Sequence, residues 1–143
     1  MKKLFIFFFP IFLVFAIISG CVSYAENSIV ECAELFEGTA YTFGGSSPES
    51  GFDCSGFVYY VYSTCGYTVS RTADGQNTDG LGISLSQAEP GDIIVFGSGN
   101  TADHTAIYVG NGKVIHALNS ESGVVYSNLS DFNSEVINVR RII

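Results

Sequence analysis

Tyr41-Thr-Phe-Gly-Gly-Ser-Ser-Pro-Glu-Ser-Gly-Phe-Asp-Cys-Ser-Gly-Phe-Val58 sets a cysteine, Cys54, where a glycine-rich loop gives way to an apolar run. Gly44-Gly45 and the Pro-containing segment up to Gly51 break regular structure. Asp53 has the chemistry of a helix N-cap, and Phe57, Val58, Val61 and Tyr62 recur at helical spacing until Gly66 stops the run. A helix is therefore predicted over residues 53–65, with Cys54 in its first turn. Unpaired N–H groups and a partial positive charge at a helix start favour thiolate over thiol. Cys54 is thus a candidate nucleophile with a lowered pKa. A purely structural cysteine is the alternative.

Upstream, Ile29, Cys32, Ala33 and Phe36 fall on one face of a predicted helix over residues 28–38, with Ser28 as cap and Gly38 as stop. Residues 70–80 are polar and predicted irregular, with about one helical turn. Glu89-Pro90-Gly91-Asp92 is a turn signal, which makes Asp92 a turn residue rather than a catalytic carboxylate. It introduces the apolar run Ile93-Ile94-Val95-Phe96. A flexible loop over residues 97–101 is expected next, then strands from His104 to Val109, Lys113 to Leu118, Val124 to Tyr126 and Val136 to Arg140. Helices first and strands after them imply an α+β domain, with helices packed on an antiparallel sheet.

Met1-Lys2-Lys3 followed by the apolar stretch from Leu4 to Ile18 reads as an export signal. Cleavage after Ala25 would leave one domain over residues 26–143. Ile18-Ser19-Gly20-Cys21 instead has the pattern of a bacterial lipobox, in which Cys21 becomes a lipid anchor and the only link to a membrane. A retained apolar anchor is the third option, although the run is short for a span. The chain carries six Lys and Arg against 14 Asp and Glu, and two of the six are Lys2 and Lys3. Such acidity argues against nucleic acid as a partner. Past Cys21 three cysteines remain, an odd number in an exported chain. A Cys32–Cys65 disulfide with Cys54 unpaired, or three thiols, both satisfy that count.

The chain has two histidines, His104 and His116. They lie on strands joined by Gly110-Asn111-Gly112. A two-residue loop would point them to opposite faces and refute a shared site, because side chains alternate with period two. A three-residue loop with Gly112 in the left-handed region places His116 opposite Ala106 and His104 opposite Leu118. The imidazoles then share a face as diagonal neighbours, about 7–8 Å apart between backbones. That loop is predicted. Cys54 would be the nucleophile, His104 the general base near the cleft mouth, and His116 the buried group that orients it. A neutral His116 would need a partner for its second ring nitrogen. A zinc site from the same three residues lacks the short ligand spacings of structural zinc sites.

These segments resemble the NlpC/P60 family of cell-wall cysteine peptidases. The resemblance rests on Tyr41-x-Phe-Gly-Gly45, Gly51-Phe-Asp-Cys-Ser-Gly-Phe-Val58, Arg71-Thr72 with Gln76, Glu89-Pro-Gly-Asp-Ile93, His104-x-x-Ile-Tyr-x-Gly-Asn-Gly112 and Val114-Ile-His-Ala117. It implies a papain-like fold and hydrolysis of peptidoglycan stem peptides through a thioester, often between D-glutamate and a diamino acid. It places Cys54, His104 and His116 in the catalytic positions, and Tyr41, Asp53, Ser55 and Arg71 beside the substrate cleft. Tyr41 and backbone N–H groups near Cys54 would serve the oxyanion. No cofactor or metal is implied, and a monomer outside the cytoplasm is expected. Phe43 stands where the family motif often has Trp, and no wall-binding domain fits beside the catalytic one. Cleavage of D,D-crosslinks, amidase chemistry, and a non-catalytic wall-binding role are the rival readings.

Overall fold

Along the strand Ile93–Ser98 the apolar side chains alternate between two cores. Ile93 and Val95 join one, and Ile94 and Phe96 the other. A strand buried on both faces reads as a continuous apolar run, which is why this segment lacks the usual polar alternation. The computed structural model describes residues 29–143. The leader, the competing processing sites, Cys21 and the Ser28 cap lie outside the described residues.

Helix α1 includes residues 29–34. Strands β1 (Ser46–Ser47) and β2 (Gly51–Phe52) form a small antiparallel hairpin inside the glycine-rich loop. Helix α2 spans Cys54–Thr64 and α3 spans Ala73–Gln76. Then come β3 (Leu81–Ile83), β4 (Ile93–Ser98), β5 (Thr101–Gly110), β6 (Lys113–Ala117), β7 (Val124–Asn128) and β8 (Glu135–Arg141). The six later strands form one sheet in the order β3-β8-β4-β5-β6-β7, every neighbouring pair antiparallel. The α+β expectation is met, with helices before the sheet.

Helix α2 is specified at both ends. The Asp53 carboxylate accepts from the Gly56 N–H at 2.7 Å, which satisfies one of the four unpaired donors of a helix start. At the other end Gly66 takes φ 86°. The N–H of Tyr67 bonds the Tyr62 carbonyl at 3.0 Å and that of Gly66 bonds Ser63 at 3.1 Å, the pairing of a Schellman motif. Phe57, Val58, Val61 and Tyr62 are buried against Ile29 and Ala33 of α1 and Ile107 and Ile115 of the sheet. Each such side chain contributes about 1.5–3 kcal/mol of apolar burial.

The other sheet face holds a smaller core, Ile94, Phe96, Ala106, Val114 and Val139. Gly91 adopts φ 97° in the turn before β4, and the Tyr62 hydroxyl donates to its carbonyl from α2. Asp92 is a turn residue as expected, and it is also buried. It accepts from Arg141 Nε at 2.9 Å and Nη2 at 2.7 Å, clamping the start of β4 to the end of β8. The segment after β4 is a tight turn rather than a flexible loop, with Ser98 paired to Thr101 and Gly99 at φ 59°.

The β5–β6 connection corrects the loop prediction. Gly110 pairs with Lys113, so the turn itself has two residues, Asn111 (φ 54°) and Gly112 (φ 71°), the positive-φ pair of a I′ hairpin. Read alone, that turn would separate the histidines. The ladder is not regular, however: it shifts between Tyr108 and Gly110, after which Tyr108 pairs with Val114 and Ile107 with Ile115. A bulge at Val109 absorbs one residue and restores the shared-face register. The turn was mispredicted, and the pairing it was invoked to explain is present.

Candidate active site

Cys54 is the first residue of α2, carried there by the Asp53 cap. That cap is tied to three segments. Arg71 Nη1 and Nη2 donate to the two Asp53 carboxylate oxygens at 3.0 Å each. The same guanidinium donates to Ser55 Oγ at 3.0 Å and to the Gly45 carbonyl at 3.3 Å. The Gly44 N–H reaches Asp53 Oδ2 at 3.0 Å. Arg71, with the N–H groups of Gly56 and Gly44, holds the Asp53 carboxyl below its ordinary range against the opposing effect of burial. One carboxylate thus joins the glycine loop, the helix start and the segment before α3. Ser55 is buried in this network, so Asp53, Ser55 and Arg71 sit beside Cys54 with many of their polar atoms already engaged.

A second brace comes from Gln76, fully buried on α3, whose Nε2 donates to the Ser55 carbonyl at 2.9 Å and to Ser70 at 2.8 Å. Asp74 of the same short helix accepts from the Ala102 N–H at 2.9 Å. Helix α3 therefore links Ser55, the neighbour of Cys54, to the strand that carries His104. Gln76 stood in the sequence only as part of a motif, with no local signal for this role.

Cys54 and the histidines come from different layers. The cysteine belongs to the helical layer, whereas His104 and His116 lie with the core on the sheet's other face. They meet at Thr105: its backbone N–H bonds the Cys54 thiol, and His104 precedes it in β5. Tyr41 is also close, since charge on Cys54 and Asp53 adds to burial in raising its phenol pKa. Phe43 projects from the same loop with 93 % of its surface exposed.

The two imidazoles are joined directly. His104 Nε2 and His116 Nδ1 are 2.7 Å apart, with the rings nearly perpendicular. That contact engages Nε2 of His104 and leaves Nδ1 as its other ring nitrogen. His116 is fully buried, and its second nitrogen meets Ser127 Oγ of β7 at 2.8 Å. The missing partner of the third residue is thus a serine. Phe132 stacks on Phe96 with ring centroids 4.0 Å apart and lies 5.9 Å from His104 and 5.1 Å from His116. These aromatic residues wall His116, and one side of the half-buried His104, from water.

That dryness sets the electrostatics. Burial pushes His104 down to about 4, with nearby Asp103 acting weakly the other way. Burial, helped by His104, pushes His116 down to about 3. Burial also raises the Cys54 thiol, outweighing the backbone N–H groups of Thr105 and Ser55 that would lower it. The expected depressed thiol is therefore corrected. Helix-start donors are present, yet the loss of water around sulfur exceeds their effect. Both shifts favour the uncharged forms of the thiol and the imidazole.

The NlpC/P60 family model matches residues 38–141. The chain is 38 % identical over 115 residues to the bifunctional muramidase/DL-endopeptidase CwlT of Bacillus subtilis, covering 78 % of this chain and 34 % of that protein. It is 42 % identical over 107 residues to the gamma-DL-glutamyl hydrolase of the same organism, covering 73 % and 25 %. The chain thus spans about a third or less of these curated relatives. The NlpC/p60 domain of the peptidoglycan hydrolase SagA superposes with a TM-score of 0.74 at 35 % identity, covering 81 % of this chain and 97 % of that domain. RipB of Mycobacterium tuberculosis, a peptidoglycan hydrolase, superposes at 0.76 with 28 % identity, covering 87 % and 67 %. Family model, superpositions and sequence identity agree, and the chain belongs to the NlpC/P60 family of cysteine peptidases.

Proposed function

We propose that this protein is an extracytoplasmic peptidoglycan endopeptidase that cuts a stem-peptide bond by Cys-His-His chemistry. The γ-D-glutamyl bond to a diamino acid is the favoured target, a choice supported by the relative named gamma-DL-glutamyl hydrolase. The observation that supports the mechanism is the 2.7 Å contact from His104 Nε2 to His116 Nδ1, and in this reading the other nitrogen, Nδ1, acts on Cys54.

In this reading the Cys54 sulfur attacks the scissile carbonyl while its proton passes to His104 Nδ1. The imidazolium donates Nε2–H to His116, which keeps the ring aligned. Backbone N–H groups at the start of α2, with the Tyr41 hydroxyl, receive the oxyanion. His104 then returns the proton to the leaving amine, and the thioester remains. Water activated by the same imidazole releases the acid and restores the thiol. Starting from neutral partners, charge separation is delayed until substrate fills the site and supplies the carbonyl that consumes the thiolate.

Of the residues assigned to the cleft, Tyr41 contacts substrate, whereas Asp53, Ser55 and Arg71 act by fixing the helix start. An acidic protein suits a substrate whose diamino acid carries a free amine. Residues 1–25 act as the export signal, or Cys21 as a lipid anchor, and the domain works as a monomer. Among the described residues no helix is long and apolar enough to cross a membrane. The test is incubation of purified protein with defined muropeptides, with products identified by mass spectrometry. Release of the amine of the diamino acid is expected, and its persistence in Cys54→Ala would end this reading.

A further inference from the structure

We infer that Ser127 is a positioning residue of the reaction, the terminal acceptor that makes a neutral histidine effective as the third member of the site. The inference rests on the peptidase reading above. A carboxylate in the third position polarises an imidazolium by its charge, but His116 is buried, uncharged and unable to do so. It compensates only if its own Nε2–H has somewhere to donate.

The geometry leaves one direction that works. When His104 accepts the thiol proton both its nitrogens carry hydrogen, and Nε2–H must donate to His116 Nδ1, 2.7 Å away. His116 then carries its single proton on Nε2, which faces Ser127 Oγ at 2.8 Å. Ser127 must accept, so its own O–H turns elsewhere. The opposite direction, with Ser127 donating inward, puts a proton on His116 Nδ1. That proton would point at His104 Nε2 and leave His104 Nδ1 protonated, useless as a base. The state of one serine rotor therefore decides whether His104 can take a proton.

Its surroundings allow the outward orientation. Ser127 is half-buried and lines a shallow surface pocket with Lys113, Asn128 and Asp131. A water entering that pocket can accept a hydrogen bond from the Ser127 hydroxyl. The register explains the placement: Ser127 pairs with Val114 and His116 with Val125, so Ser127 and His116 are same-face diagonal neighbours. The ionisable groups bearing on this chain of bonds are Cys54 from α2, Asp103 beside His104 on β5, Lys113 from β6, and Asp131 after β7. Tyr126, also on the pocket rim, hydrogen-bonds Glu34 of α1.

The test uses the whole exported protein with Ser127→Ala, Ser127→Thr and Ser127→Asp. Nitrogen NMR of the two imidazoles reports their tautomers, and mass spectrometry reports alkylation of Cys54 apart from Cys32 and Cys65 across pH. Wild type should show His116 protonated on Nε2. Ser127→Ala should mix the tautomers and lower kcat about 10-fold with KM little changed, the loss of about one hydrogen bond. Ser127→Thr should retain wild-type behaviour, and Ser127→Asp should raise the pH at which His104 protonates, where Ser127→Ala lowers it. Nδ1-protonated His116 in wild type, or unchanged tautomers and alkylation profiles in both the Ala and Asp variants, would overturn the inference. Because neither tautomers nor alkylation needs turnover, the expected tautomer response without muropeptide cleavage would sink the peptidase reading, and with it the catalytic role of Ser127, while the direction of the Ser127–His116–His104 hydrogen bonds would stand.

Discussion

Arg71 grips Asp53 through both carboxylate oxygens, and Asp53 caps the helix that begins at Cys54. The pair is separated by α2 in sequence and joined across its N-terminus in space. A planar guanidinium can hold two oxygens at once and still reach Ser55 and Gly45, which an ammonium cannot.

Arg71→Lys should therefore keep the charge and lose the alignment. We expect a loss of about 1–3 kcal/mol of stability in urea titrations, since a partly buried carboxylate keeps only some of its bonds. Activity should fall further than stability, because Cys54 is adjacent to the loosened cap. Equal stability in Arg71→Lys and wild type would show that the clamp is incidental. The Asp53 carboxyl is depressed in the folded protein, so its contribution is present above the unfolded pKa and is lost as pH falls through the lower folded value.

The histidines act in a different pH window. Both are held below their ordinary value, so between about 6.5 and the folded values of about 4 and about 3 the unfolded chain binds more protons. Stability should decline as pH falls through that window, and the slope should lessen below it. His116→Asn should flatten the slope. A stability curve level from pH 6.5 to pH 4 in wild type would contradict the dry histidine pair.

Cys54 alkylation by iodoacetamide should inflect above the ordinary thiol value of about 8.5 in the substrate-free protein, because burial raises this thiol. An inflection well below that value would mean that helix-start donors and the imidazole outweigh desolvation after all.

Gly56→Ala tests the packing behind Cys54. In an ordinary helix this change stabilises by up to about 1 kcal/mol. Here the new Cβ would lie 2.0 Å from the Gly45 carbonyl oxygen and 2.8 Å from Asp53 Oδ1. The helix and glycine loop would have to part, so a loss of about 1–3 kcal/mol is expected in thermal or urea unfolding, together with most of the activity. A stabilised Gly56→Ala variant would show that the loop yields freely.

Much of the site was legible because its signals are local. The Asp53 cap, the spacing of Phe57, Val58, Val61 and Tyr62, and the stop at Gly66 each act within one helix. The turn at Glu89 to Asp92 is equally self-contained. The histidine pair was legible only as a parity condition, and the feature that satisfies it, a bulge at Val109, has no residue signature of its own. Ser127, Phe96 and Phe132 were not legible as site residues. They reach the imidazoles through strand register and through the turn at Leu129–Asp131, which depend on the assembled sheet. Strands β1, β2 and β3 are too short to show a period. The thiol's pKa was misjudged because dipoles can be read from a helix start, whereas loss of water around sulfur depends on what packs over it. Cys32 and Cys65 remain thiols rather than a disulfide, and Cys32 Sγ instead lies 2.9 Å from Thr64 Oγ1.

The bulge at Val109 also governs which changes of chain length this hairpin can absorb. Tyr108 must meet Val114 for the imidazoles to touch, and Val109 is the residue set aside to make that so. Removing it would close the ladder directly behind Gly110 and leave His104 and His116 where they are. Adding one residue anywhere between Ile107 and His116 would demand a second irregularity or put the two rings out of phase. For this hairpin, a single-residue deletion at the bulge is therefore the mild lesion, and a single-residue insertion within either strand is the disabling one.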